Sequence, residues 1–139
     1  KGGELYRLMD QVLPKAVYHW SLCPGHLTAD EEWMSSPVYE GSEEVLESGM
    51  LFQIDLIPSV SGYGGTSAES TVALADPALR DEIRRQAPAL WQRITARRQY
   101  LESRLHIRLH PDILPMCSTV AYLRPLLLNK GMAMAKQTD

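Results

Sequence analysis

Residues 50–57 of the chain read MLFQIDLI, in which apolar and mixed positions alternate. A period of two is typical of a β-strand, because successive side chains point to opposite faces. Residues 69–75 (ESTVALA) form a second strand candidate, and three glycines mark the turn region 59–66 between them. We expect the two strands to pair as an antiparallel hairpin with a wide loop. One face of the first strand would carry Met50, Phe52, Ile54 and Leu56, and the other Leu51, Gln53, Asp55 and Ile57.

The segments around this hairpin predict mainly helices and irregular chain. Apolar spacing indicates a helix over residues 4–13 that Pro14 ends, followed by a long irregular region over 15–49. Asp76 and Pro77 suit a helix start, and the apolar repeat after them predicts an amphipathic helix of more than six turns, kinked near Pro88. After residue 105 we expect an irregular wrap with a final strand or short helix. The predicted fold class is α+β, an antiparallel sheet covered by helices.

Length and composition favour one folded domain spanning residues 1–139. The chain has 45% hydrophobic and 22% charged residues and a formal net charge of −3, which argues against a nucleic-acid binder that works by bulk charge. No apolar run has the roughly 18 residues of a membrane span, and the first residues lack the apolar core of a secretory signal. Cys23 and Cys117 form no CxxC pair and predict reduced thiols, or at most one optional disulfide, with Cys117 buried and inert. We expect a soluble, cytoplasmic protein.

Three residues could carry chemistry. Asp55 lies in an otherwise almost wholly apolar strand, where an ionised carboxylate is costly unless it is paired, hydrogen-bonded or bound to a metal. A hairpin would bring Glu69 beside it on the same face, and His26 follows a Pro-Gly pair in the irregular region. One imidazole and two carboxylates would suit Mn²⁺, Co²⁺ or Zn²⁺. The alternative is that backbone N–H groups or an arginine satisfy Asp55 and that Glu69 is merely solvated.

Three short blocks in this order resemble the C-terminal half of the creatinase/methionine-aminopeptidase, or pita-bread, metallopeptidases, which include Xaa-Pro dipeptidases and aminopeptidase P. They are residues 24–27 (PGHL), 48–55 (SGMLFQID) and 69–72 (ESTV), and the match spans roughly residues 19–76. The resemblance implies the C-terminal half of the pita-bread fold, with residues 77–139 as a helical C-terminal extension. It also implies a cytoplasmic hydrolase that cleaves peptide bonds near the N-terminus of peptides, and a possible homodimer.

The same resemblance makes His26, Asp55 and Glu69 three of the family's five metal ligands, with Glu69 bridging and Asp55 helping to accept a proton from the bound water. His19 would stand in part for a substrate-polarising histidine, since Trp33 occupies that histidine's place. Two upstream aspartates of the family have no counterpart, and Asp55 stands where the family has Glu. We therefore expect an incomplete peptidase, inactive alone, and the resemblance implies that it binds Mn, Co or Zn, or no metal in this chain by itself. The alternative is a non-catalytic binding or dimerisation module with the same fold.

Overall fold

The computed structural model describes residues 1–21, 24–28, 35–63 and 68–117. These residues contain four helices and four strands. In chain order they are α1 (Gly2–Val12), α2 (Lys15–Tyr18), β1 (His26–Leu27), β2 (Leu51–Leu56), β3 (Ala68–Leu74), α3 (Pro77–Gln86), α4 (Pro88–Arg104) and β4 (Ile113–Pro115).

The four strands form one antiparallel sheet in the order β1-β2-β3-β4. The predicted hairpin is confirmed as β2 and β3, and its register sets Asp55 directly opposite Glu69. Next to it, β1 sets His26 opposite Gln53. The α+β class with an antiparallel sheet and helices is therefore confirmed.

The predicted long helix is two helices. Asp76 begins α3 as expected, because its Oδ1 accepts a hydrogen bond from the Leu79 N–H at 2.8 Å and Pro77 follows it. The chain then breaks at Ala87, whose φ of −132° and ψ of 62° lie outside the helical region. The ring of Pro88 disfavours a helical conformation at the residue before it, so a separate helix starts there instead of a kink.

Helices α3 and α4 cover one end of the sheet. The buried core there consists of Ala75, Ile94 and Leu114, and Ala73 and Trp91 pack against it. The segment that leads into β4 is held by arginines from both helices. Arg80 pairs with Asp112, and the Arg98 guanidinium donates to the carbonyls of residues 109–111 and 113. Residues 77–117 thus include a sheet strand as well as helices.

The N-terminal helix packs against the irregular region that follows it. The buried Trp20 indole donates to the Leu13 carbonyl at 2.8 Å and meets the Tyr6 ring edge-on, with 5.7 Å between the ring centroids. At Gly2 a Cβ would lie 1.8 Å from the Pro37 carbonyl oxygen, so only glycine permits this approach of the two backbones. α1 begins two residues earlier than predicted and ends one residue earlier.

Several expectations fall on residues 22–23, 29–34, 64–67 and 118–139, which lie outside the described part of the chain. They concern Cys23, the acidic residues 30–32, Trp33 and the C-terminal tail. Within the described residues, no helix combines the length and the apolar character needed to cross a bilayer.

Candidate metal centre

The structure brings His26 and Asp55 together. His26 opens β1 opposite Gln53, and Asp55 lies two residues further along β2, so both side chains lie on the same face of the sheet. His26 Nε2 is 3.8 Å from Asp55 Oδ2. His26 is 6% exposed and Asp55 is 9% exposed, so the two groups meet largely out of water.

The other ring nitrogen of His26 is occupied by the backbone. Nδ1 lies 3.1 Å from the Leu27 carbonyl oxygen, and only an N–H at Nδ1 can donate to it. In the neutral imidazole this bond leaves the Nε2 lone pair facing the Asp55 carboxylate. A proton held between the two groups would satisfy both atoms, and so would a metal ion.

Asp55 has an unfilled hydrogen-bonding capacity. Its Oδ1 is buried and has no hydrogen-bond partner among the described residues. Burial raises the pKa of the Asp55 carboxyl above its usual value, the negative charge of Glu69 raises it further, and His26 offsets part of this. The alternative interpretation required a backbone N–H or an arginine to satisfy Asp55. In the described part of the chain, neither makes a hydrogen bond with its carboxylate.

Glu69 lies beside this pair without completing a three-residue cluster. It is the direct cross-strand partner of Asp55, and its side chain is exposed. Over the ranges that the structure describes, no three His, Cys, Asp or Glu side chains are close enough together to hold one metal ion. The structure therefore brings together two of the three expected ligands, His26 and Asp55, and leaves the third, Glu69, exposed to solvent beside them.

His19 makes no contact with the pair among the hydrogen bonds and ion pairs of the described residues. It ends α2 in a left-handed conformation with φ of 48°, and it is exposed. Its predicted role in polarising a substrate stays a prediction.

Two polar residues that the sequence analysis did not single out lie on the same face. The Thr71 hydroxyl donates to Gln53 Oε1 at 2.6 Å. Thr71 is the cross-strand partner of Gln53, which is itself the partner of His26. The alternation along residues 50–57 already placed Gln53 on the same face as Asp55, and this was the sequence feature from which a role for Gln53 could have been predicted.

Cys117 differs from the expected buried thiol because it is only partly buried. Its Sγ accepts a hydrogen bond from the Thr71 backbone N–H at 2.7 Å. Burial alone would raise the pKa of the Cys117 thiol, but hydrogen bonds from Thr71 and Ser70 and the charge of Arg97 outweigh it. The net pKa lies below the usual thiol value.

Comparison of the chain with protein-family models, with curated proteins and with solved structures finds no match. The geometry of this face and the three sequence blocks are therefore the features of the chain that bear on its function.

Proposed function

We propose that His26, Asp55 and Glu69 form part of a divalent-metal site, and that the chain is the C-terminal portion of a metal-dependent peptidase of the pita-bread type. Its reaction would be hydrolysis of peptide bonds near the N-terminus of peptides, such as Xaa-Pro bonds. The observation that carries the proposal is the buried His26–Asp55 pair, in which Nε2 of the imidazole lies 3.8 Å from Oδ2 of the carboxyl group and Nδ1 contacts the Leu27 carbonyl oxygen.

The two residues fit a metal ion in three respects. Two ligand atoms that hold one ion tetrahedrally lie about 3.4 Å apart. His26 Nε2 and Asp55 Oδ2 are 3.8 Å apart, so small side-chain rotations would bring them to that separation. The Leu27 carbonyl at His26 Nδ1 is the kind of outer partner that fixes a ligating imidazole. The orphaned Asp55 Oδ1 offers a further oxygen that no described residue uses.

The chain's own residues would act as follows. His26 would bind through Nε2 and Asp55 through its carboxylate, and Glu69 would reach the same ion or a neighbouring one after a rotamer change. A bound divalent ion supplies a water of lowered pKa and a charge that polarises a peptide carbonyl. Asp55 Oδ1 would accept a proton from a group bound beside it and so act as a general base.

A second candidate function is a non-catalytic binding or dimerisation module with the same fold. It is favoured by one observation: Glu69 does not close a three-residue cluster with His26 and Asp55 in the described residues. A module of this kind would keep the pair but would lack stoichiometric metal.

Titration of the metal-free chain with Co²⁺ at a pH of about 7.5 separates the two candidates. We expect one bound ion per chain, and we expect His26→Asn to weaken its binding more than about tenfold. Loss of a residue that merely hydrogen-bonds to a metal ligand already weakens binding about tenfold or more, and loss of the imidazole ligand itself should cost more. His106→Asn is the matched control, since His106 is exposed and its positive φ of 57° suits Asn. Absence of a stoichiometric ion in the wild-type chain would contradict the metal site and leave the module.

We further expect that this chain alone, with Mn²⁺ added, does not cleave an Ala-Pro peptide, because the counterparts of two family aspartates are missing from its sequence. Turnover that survives Asp55→Asn would contradict both the assignment of Asp55 as a ligand and the expected inactivity.

A further inference from the structure

The polar side chains around His26 form two neighbouring rows across the sheet. In one row, Gln53 of β2 lies between His26 of β1 and Thr71 of β3. In the next row, Asp55 lies opposite Glu69. Directly opposed residues in an antiparallel sheet share a face with their Cβ atoms about 5 Å apart. Gln53 is therefore a neighbour of both members of the His26–Asp55 pair.

Thr71 fixes which end of the Gln53 carboxamide is available. Its hydroxyl donates to Gln53 Oε1 at 2.6 Å, which occupies the acceptor end of the amide. The Nε2 end carries two N–H donors and makes no hydrogen bond with any residue in the described ranges. Gln53 is half-buried, so these donors are accessible to a bound ligand.

The surroundings determine what such donors would meet. A cation held by His26 and Asp55 would still take oxygen ligands from solvent or substrate, since these residues supply only part of its coordination. An oxygen bound to that cation would lie beside the Gln53 amide. Amide N–H groups bind carbonyl or carboxylate oxygens, and they would repel a second cation.

We propose that Gln53 is a ligand-binding residue whose N–H groups donate to a carbonyl or carboxylate oxygen of a peptide bound at the His26–Asp55 site, and that Thr71 is the residue that positions it. The proposal rests on the proposed metal site and adds the residue that would bind the peptide there. We therefore expect metal and peptide to bind cooperatively. Gln53 should contribute to this coupling but should not be needed for binding of the metal alone.

The test measures Co²⁺ binding to the full chain by visible absorption, alone and with the dipeptide Ala-Pro or its C-terminal amide. In the wild-type chain we expect at least Ala-Pro to tighten Co²⁺ binding, and by linkage Co²⁺ to tighten peptide binding by the same factor. Gln53→Leu should leave the affinity for Co²⁺ alone within about twofold. It should lower the coupling factor about three- to tenfold, the usual effect of one lost hydrogen bond.

The Thr71 variants keep the proposal testable if Gln53→Leu disturbs the sheet. Thr71→Val removes the hydroxyl and should lower the coupling as Gln53→Leu does, while Thr71→Ser should restore it. Coupling retained with the dipeptide amide would identify a carbonyl oxygen, and coupling confined to Ala-Pro would identify the terminal carboxylate; both support the proposal.

Three results would overturn the proposal in distinguishable ways. A wild-type chain that binds no Co²⁺ removes the metal site and the role of Gln53 together. Normal Co²⁺ binding with unchanged coupling in Gln53→Leu and Thr71→Val removes only the role of Gln53. Loss of Co²⁺ binding in Thr71→Val, with Thr71→Ser no better, makes Gln53 and Thr71 structural.

Discussion

Replacement of Asp55 by Asn should make the metal-free chain more stable at a pH of about 7.5. In the folded chain the carboxylate is 9% exposed, its Oδ1 has no partner among the described residues, and it lies opposite the like-charged Glu69. A buried polar group without a partner costs about 1–3 kcal/mol, and an opposed like-charge pair costs up to about 1 kcal/mol. Asn removes the charge but keeps a carbonyl oxygen in place, so we expect a gain of about 1–2 kcal/mol.

The pH dependence of this gain follows from the raised pKa of Asp55. Because folding raises that pKa, the protonated form is favoured in the folded chain. The stabilising contribution is complete below about pH 4, the usual pKa of an unfolded aspartate, and it is lost as the pH rises through the higher folded-state pKa. Asn does not titrate in this range. The difference between the variant and the wild type should therefore be smallest near pH 4 and largest at the highest pH.

Thermal and urea unfolding in the presence of a chelator, at three or more pH values, would measure the gain. A gain of 1 kcal/mol corresponds to a rise of about 3 °C in Tm for a chain of this size. Asp81→Asn is the matched control, because Asp81 pairs with Arg84 on the exposed surface of α3 and should change stability little. With Co²⁺ in excess the wild-type chain should be more stable than Asp55→Asn, since only the wild-type chain gains binding energy from the ion.

If Asp55→Asn destabilises the metal-free chain by 1 kcal/mol or more at neutral pH, the carboxylate stabilises the fold and is not held ready for a ligand.

Three further predictions concern other parts of the chain. Asp76→Ala should lower the free energy of unfolding by about 1 kcal/mol, measured in urea, because the Leu79 N–H loses its capping acceptor; Asp76→Ser should recover most of it. Arg98→Lys should destabilise by about 1–2 kcal/mol, since one ammonium cannot replace the planar guanidinium that donates to the carbonyls of residues 109–111 and 113, and equal stability would contradict that role. In a Cys23→Ser background, alkylation of Cys117 should show a pH midpoint below that of the unfolded chain, and Arg97→Gln should move the midpoint upward.

The hairpin was predictable from sequence because its signal is local. Alternation over residues 50–57 places Gln53 and Asp55 on one face, and the turn between two short strands limits the register, so the proximity of Asp55 and Glu69 could be expected. The placement of His26 could not be derived in the same way. β1 has two residues and no readable period, and only pairing with β2 makes it a strand.

The division of the predicted long helix into α3 and α4 could be predicted from the sequence only in part. The apolar repeat continues through Ala87 and Pro88, so periodicity alone describes one helix with a kink. The Pro88 ring disfavours a helical conformation at Ala87, and the structure shows that Ala87 leaves the helical region altogether. The proline thus located the irregularity in the sequence, but periodicity did not show that it is a break rather than a kink.

The helices also determine where a ligand can bind. Ala73 and Leu114 lie on the same sheet face as Thr71 and Gln53, and α3 and α4 pack over the Ala73 end of that face. Glu69 is four residues from Ala73, about 13 Å along the strand, and it is exposed. The face is therefore apolar where helices cover it and polar beyond them. A polar row under these helices would need a partner for every group, whereas at the proposed site beyond them a cation and a peptide oxygen would supply the missing contacts of Asp55 and Gln53.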